Sequence, residues 1–352
     1  MTTKIYHSNE AAACFFRSTA TLPDRKIILQ ITEKCNLHCK HCFVSSTVEG
    51  HSMNLDRVKS ILPILKEAQV SRVTLTGGEP FCNSCLSEIV DLLIQSDINV
   101  SICTNATLIT EAFLEHIANK ERVHFNISLD GYKSESHGMF RGNTSPTFIE
   151  RILSNIALVA NFKMLNGILS TPNKYASIDE YKQICEFARS IKARYVLFNP
   201  LSEYGRGQDT VNLGFSSEQM RKLKLETQSY NSEDFEVVYI RFRHPSCRIS
   251  KCPKGSVPYV FVDGTVAVCP YLVFASNDTV SQYSPKSFTI GNIFEDGFNL
   301  ISELDNYRFP ISEFSPPEFC DVEGCSGGCY AAKISRGKLL TDCDTDMCPL
   351  EE

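Results

Sequence analysis

The amino-acid sequence predicts an α/β fold: a partial barrel of six β/α units over residues 26–232, a small cysteine-rich α+β domain over 233–352, and an amino-terminal extension, 1–25. Two patterns and the size of the chain carry that expectation. β-prone runs alternate with stretches of helical periodicity, which implies parallel strands joined by crossover helices. Past residue 232 the alternation gives way to turn-rich sequence crowded with cysteine. At 352 residues and 43% hydrophobic composition, the chain exceeds the size at which single cores stop growing, so one large domain and one smaller one are expected.

In chain order, the extension has mixed polarity and no motif, with Cys14 in Ala-Ala-Ala-Cys-Phe-Phe. Six β-prone runs follow, near 27–31, 72–75, 98–103, 123–129, 162–170 and 194–199, spaced by helical stretches such as 55–68, 86–95 and 178–191. The segment 200–207 reads as loop, and 216–228 as a last helix before the boundary. Beyond it, 260–262 and 266–268 flank Asp263-Gly264, a hairpin turn signal that puts Cys269 at the end of the second strand.

A net charge of -6 without a long basic run gives no electrostatic case for nucleic acid. There is no apolar amino-terminal segment of secretory type and no run of ~18 apolar residues, so a cytoplasmic protein that neither binds nor spans a membrane is expected. Sixteen cysteines in such a chain read as metal or redox ligands rather than disulfides.

Ligands on parallel α/β folds sit at the carboxyl ends of the strands, and motifs gather there. The first strand is followed by Cys35-Asn36-Leu37-His38-Cys39-Lys40-His41-Cys42, a C-x3-C-x2-C loop. Three thiolates are one short of a closed site, and on an iron–sulfur cubane they leave one iron free. Zinc also suits closely spaced Cys and His. Gly77-Gly78-Glu79-Pro80 follows the second strand and offers bare backbone plus one carboxylate, which fits a ligand ammonium. Thr104-Asn105 ends the third strand, Ser128-Leu129-Asp130-Gly131 the fourth and Asn199-Pro200 the sixth. Asp130 equally suits capping of the next segment.

The cysteine loop, Gly77-Gly78-Glu79-Pro80 and the run from Ser128 through His137 to Arg141 together resemble the radical S-adenosylmethionine (SAM) superfamily. The resemblance implies a 4Fe–4S cluster on Cys35, Cys39 and Cys42 whose open iron chelates the amino and carboxylate groups of SAM. It puts His41 where the family places an aromatic residue against adenine, and Glu79 with Gly77 and Gly78 at the SAM amino group. Asn105 and Ser128 are candidates for hydrogen bonds to ribose or carboxylate, and Arg141 for an ion pair with the SAM carboxylate. An external electron donor of flavodoxin or ferredoxin type is implied, as is cleavage of SAM to methionine and a 5′-deoxyadenosyl radical that removes a substrate hydrogen.

Cys247, Cys252, Cys269, Cys320, Cys325, Cys329, Cys343 and Cys348 crowd the last part of the chain. Cys252, Gly264 and Cys269, with Cys325-x3-Cys329, are similar to the SPASM extension of radical SAM enzymes, which carries auxiliary iron–sulfur clusters. The resemblance thus covers roughly 26–348. One departure stands out: the usual C-x2-C-x5-C-x3-C becomes Cys320-x4-Cys325-x3-Cys329, with Cys343-x4-Cys348 downstream. By analogy, Cys247, Cys252, Cys269 and Cys329 form one ligand set and Cys320, Cys325, Cys343 and Cys348 the other, two auxiliary clusters in all. Four-cysteine zinc sites use similar spacings. Cys82-x2-Cys85 opens a helix and suits either redox chemistry or packing; Cys103 and Cys185 lie in apolar runs and read as core.

The expected function is oxidation or cross-linking of a substrate carbon, with a ribosomal peptide ahead of a small molecule or cofactor of tetrapyrrole or aminosugar type. About 25 residues precede the first strand, too few for the leader-binding module of some peptide-maturing relatives, so recognition is expected from a partner or from the barrel mouth and SPASM region. Sulfatase-maturing relatives have an Asp after the cysteine where this chain has Pro270-Tyr271, which disfavours formylglycine formation and leaves Tyr271 as the acid–base or hydrogen-bonding group.

Overall fold

The computed structural model describes residues 10–11, 23–117, 121–242, 248–249, 252, 254–311, 314, 325, 327–345 and 347–348. Cys14, Cys247 and Cys320 lie outside the described residues.

Strands β1 (Arg25–Thr32), β2 (Val70–Gly77), β3 (Asn99–Thr104), β4 (Val123–Ser128), β5 (Leu165–Ser170), β6 (Tyr195–Phe198) and β7 (Glu236–Tyr239) run parallel and adjacent in chain order. Because the order never reverses, the sheet winds in one direction as a barrel does, and the ends of β1 to β7 converge on one rim. The six β-prone runs all become strands. β7 is a seventh, four residues long, and lies beyond the boundary read from the sequence near 232.

Helices α1 (Leu55–Glu67), α2 (Leu86–Gln95), α3 (Glu111–Ile117), α4 (Pro146–Asn161), α5 (Ile178–Ser190) and α6 (Ser217–Thr227) follow successive strands. Their starts are encoded locally. Asn54 accepts the Arg57 N–H at 2.9 Å, and Ser177 with Glu180, and Ser216 with Gln219, form capping boxes. Alternate strand residues Ile27, Leu29, Ile31, Val73, Leu75, Val100 and Ile102 are fully buried in one core with Val58, Ile61 and Leu65 of α1 and Ile89, Val90 and Leu93 of α2. Burying each such side chain contributes ~1.5–3 kcal/mol, so this layer holds the strand ends in place.

The cysteine-rich region joins the same sheet. β8 (Tyr259–Val260) pairs parallel with Ile28 and Leu29 of β1, then β9 (Thr265–Ala267) and β10 (Thr289–Asn292) add antiparallel. The turn between β8 and β9 is the Asp263-Gly264 hairpin, Gly264 having φ +92°. Helices α7 (Pro270–Ser276) and α9 (Tyr330–Ile334) pack together, and α8 (Leu300–Asn306) follows β10. No helix among the described residues is long and apolar enough to cross a membrane.

Candidate functional site

The cysteine loop leaves β1 and is clamped by backbone contacts from three later loops. Gly78 N donates to Thr32 O at 2.9 Å and Glu79 N to Lys34 O at 2.8 Å. A Cβ on Gly78 would stand 2.3 Å from Lys34 O, so only glycine lets the two loops touch. From the turn after β4, Phe140 O accepts the Lys40 N–H at 2.9 Å. The loop after β6 supplies Arg206, whose Nε donates to Cys39 O at 2.9 Å and Nη1 to Ser46 O at 2.8 Å. Gly205 makes that approach with φ +59° and would place a Cβ 2.5 Å from Phe43 O.

Cys35 and Cys39 are buried and Cys42 is half-buried. Burial pushes the Cys35 thiol up to about 11, and Cys39 up to about 12 with the Arg141 charge opposing; Cys42 lies close enough to raise both further. The sulfurs also meet donors: Leu37 N lies 3.4 Å from Cys35 Sγ and Arg141 Nη1 3.9 Å from Cys39 Sγ. Such groups fit a metal cluster, since binding displaces the thiol protons and hydrogen bonds support ligand sulfur. Among the described residues no three His, Cys, Asp or Glu side chains converge on a point as ligands of a single ion do. Cys82 belongs to this neighbourhood, its sulfur accepting the Asn36 N–H. Cys185 is fully buried in α5, whereas Cys103 is reached by Asn126 Nδ2 at 3.9 Å.

Glu79 is 1% exposed, and burial raises its pKa against three hydrogen bonds. Oε1 accepts from Thr104 Oγ1 at 2.6 Å and Phe81 N at 3.2 Å, and Oε2 from Asn105 N at 2.7 Å. A carboxylate has about four lone-pair sites, so one on Oε2 stays open to a ligand cation. The Asn105 side chain donates to Asn36 Oδ1 at 3.0 Å and accepts from Thr107 N at 2.9 Å, while Asn36 Nδ2 reaches Thr107 Oγ1 at 2.7 Å. Asn105 therefore fastens the cysteine loop to the end of β3. Ser128 ends β4 half-buried on the rim.

His41 stacks on Phe140 with centroids 4.1 Å apart and planes 7° from parallel. Burial, helped by the Arg141 and Arg206 charges and opposed by Asp130, lowers its pKa to about 4, so near neutral pH it is an uncharged aromatic ring. Arg141 Nε donates to Asp130 Oδ2 at 2.7 Å. Burial alone would raise the Asp130 pKa, but Arg141, His41, His137 and the Thr171 N–H together hold it below the usual carboxylate value.

In the cysteine-rich region, Cys252, Cys269 and Cys329 stand near one another. Burial raises Cys252 to about 12, with the neighbouring Cys329 adding, and raises Cys269 with Cys252 and Cys329 adding. Asp344, Cys343, Cys329 and Cys325 all lie near the buried Lys333, and Cys348 N donates to Asp344 O at 3.0 Å. Tyr271, 6% exposed in the first turn of α7, packs edge-on against Phe43 at 5.1 Å and at a tilt against Tyr204 at 5.4 Å. Its ring thus connects the loop beside Cys42 to the region of Cys269. Asn36 and Asp130 lie within motifs visible in the sequence but were not assigned roles as site residues, and Thr107 and Arg206 carry no motif signal, Arg206 lying in a segment that reads as loop.

Residues 29–188 match the radical SAM superfamily profile. The antilisterial bacteriocin subtilosin biosynthesis protein AlbA of Bacillus subtilis is 26% identical over 320 residues, covering 88% of this chain and 68% of AlbA. The mycofactocin maturase MftC of Mycolicibacterium smegmatis is 29% identical over 335 residues, covering 90% of this chain and 81% of MftC. Among solved structures, Streptococcus suis SuiB bound to S-adenosylmethionine shares the fold, with a TM-score of 0.71 at 18% identity over 91% of this chain and 76% of SuiB. With the cysteine loop, the glycine-rich turn and the one-way parallel sheet at the same rim, residues 29–188 carry a radical SAM domain, and the chain as a whole is similar to radical SAM maturases and shares their fold.

Proposed function

We propose that this enzyme oxidises or cross-links a carbon centre in a ribosomally made peptide. The observation that carries the reading is a cavity of about 250 Å³ between the loops after β6 and β7 and the cysteine-rich region, lined among others by Tyr204, Phe215, Arg241, Tyr271 and Cys329. Sites for drug-sized ligands run to roughly 300–1,000 Å³, so a space of this size takes one or two side chains of a longer substrate. The names of two relatives, a bacteriocin biosynthesis protein and a maturase, support a peptide.

Cys35, Cys39 and Cys42 would hold the SAM cluster; Cys247, Cys252, Cys269 and Cys329, and Cys320, Cys325, Cys343 and Cys348, would hold two auxiliary ones. When bound, cluster and SAM supply a 5′-deoxyadenosyl radical by one-electron cleavage, the electron coming from a flavodoxin or ferredoxin type donor in the cytoplasm. The residues of the chain do the rest. Glu79 offers its open Oε2 lone pair to the SAM ammonium, with Gly77 and Gly78 keeping the approach clear. Asn105 and Ser128 hydrogen-bond the ribose or carboxylate, and His41 gives the adenine a neutral ring. Tyr271 borders the substrate cavity as the acid–base or hydrogen-bonding group.

Replacing Glu79→Gln keeps the shape and loses the charge, and a hydrogen bond to a charged group is worth ~1.5–3 kcal/mol. SAM affinity is expected to fall by roughly one to two powers of ten, measured by equilibrium binding to the reconstituted protein. An unchanged dissociation constant would show that the ammonium sits elsewhere. The reaction is tested by incubating the enzyme with SAM, reductant and candidate short peptides from its gene neighbourhood, then measuring product mass. Loss of two hydrogens per turnover is expected. An unchanged mass with one solvent deuterium would mean epimerisation, and no change with any peptide would favour the small-molecule reading.

A further inference from the structure

Arg141 is 8% exposed and its two ends meet different groups: Nε donates to Asp130 Oδ2 at 2.7 Å, and Nη1 lies 3.9 Å from Cys39 Sγ. Asp130 is itself fixed from several sides. Its Oδ1 accepts the Thr171 N–H at 2.7 Å, its backbone N–H donates to His137 Nδ1 at 3.0 Å, and its carbonyl accepts from Asn173 Nδ2 at 2.9 Å and the Tyr181 hydroxyl at 3.3 Å. The ends of β4 and β5 and helix α5 thus jointly set one carboxylate, and that carboxylate sets one guanidinium.

A buried ion pair is a weak source of stability, because desolvating both charges roughly offsets their attraction, and an apolar pair of similar volume often serves as well. What an apolar pair does not supply is a positive charge fixed against the sulfur of Cys39. Hydrogen bonds to ligand sulfurs and local net charge both set cluster reduction potentials. We infer that Arg141 tunes the reduction potential of the cluster on Cys35, Cys39 and Cys42 through the Cys39 sulfur, and that Asp130 is the positioning residue that holds it there. The inference rests on the reading of those three cysteines as cluster ligands. Reduction by dithionite delivers one electron, adds one negative charge to the cluster and moves no proton on Arg141. The guanidinium favours that added charge, and the Asp130 carboxylate behind it offsets part of the effect.

The test is a redox titration of the reconstituted full-length protein without SAM, followed by electron paramagnetic resonance. The signal of interest is the one that disappears when Cys35, Cys39 and Cys42 are all replaced by Ala. Arg141→Gln is expected to lower its potential, so that at a fixed applied potential the ratio of reduced to oxidised cluster falls about tenfold, equivalent to about 59 mV for one electron. Arg141→Lys keeps the charge without the fork and should recover part of the shift. Asp130→Asn still presents an oxygen to Nε but no charge, so its shift should have the opposite sign. Thermal melts and iron counts identify a variant that has lost its fold, and the Gln–Lys pair decides the question if Asp130→Asn does not accumulate. An unchanged potential in Arg141→Gln with weaker SAM binding would overturn the inference and leave Arg141 as a SAM ligand only. If no signal depends on the three cysteines, the site reading itself fails and the inference with it.

Discussion

Replacing Cys35, Cys39 and Cys42 together by Ala is expected to abolish SAM cleavage and to remove about a third of the iron, given about four irons per cubane and three cubanes. The protein should nevertheless stay folded. The loop is held by Gly78 and Glu79 on its lead, by Phe140 on Lys40 and by Arg206 on Cys39 O and Ser46 O, and none of these contacts uses a thiol. The variant therefore separates chemistry from architecture: 5′-deoxyadenosine falls to background under dithionite while the melting transition persists. Continued formation of 5′-deoxyadenosine would rule out this loop as the SAM cluster site. A wild-type count of roughly two zincs and only about four irons would instead assign the carboxy-terminal thiols to zinc.

The elements visible in the sequence are those whose signals are local. Strand runs and helix periods repeat within a few residues, and the caps at Asn54, Ser177 and Ser216 lie next to the helices they start. The rim follows from the same logic, because a motif directly after a parallel strand has to emerge at its carboxyl end. What escaped depends on pairings across long separations. Arg206 reaches a carbonyl 167 positions earlier in the chain, and β8 adds to β1 across more than 200 residues, a neighbour that a two-residue strand does not advertise. Asp130 illustrates the limit most directly. As an Asp-Gly after a strand it suits a cap, and only the turn through His137 and the one-turn helix Met139–Arg141 bring the guanidinium back to it. The nearness of Cys252, Cys269 and Cys329 was expected by analogy alone; what brings it about is the β8–β9 hairpin and helices α7 and α9 packed together.

Asp344→Ala is expected to loosen the cysteine-rich region from the barrel. The carboxylate is 4% exposed, receives Arg241 Nη2 at 3.0 Å and also Nη1, and accepts the Cys329 N–H at 2.9 Å. Arg241 follows β7 in the left-handed region, φ +55°, so the barrel sends its last strand end directly onto the loop of a candidate cluster ligand. Removing one partner of a buried ion pair costs up to ~3–5 kcal/mol. Here the Arg241 guanidinium, with a side chain 12% exposed, loses this carboxylate, while the Cys329 N–H loses its acceptor as well. The effect should be regional. The hydrogen bonds that clamp the SAM loop come from the barrel, so uncoupled SAM cleavage should survive, whereas the unfolding midpoint drops and up to two thirds of the iron, the share of two cubanes in three, becomes easy to chelate. Asp344→Asn, which keeps one acceptor for the Cys329 N–H, should fall between wild type and Ala. Equal melting and equal chelation kinetics across all three proteins would mean that the cysteine-rich region is anchored through its strands on β1 and not through this pair.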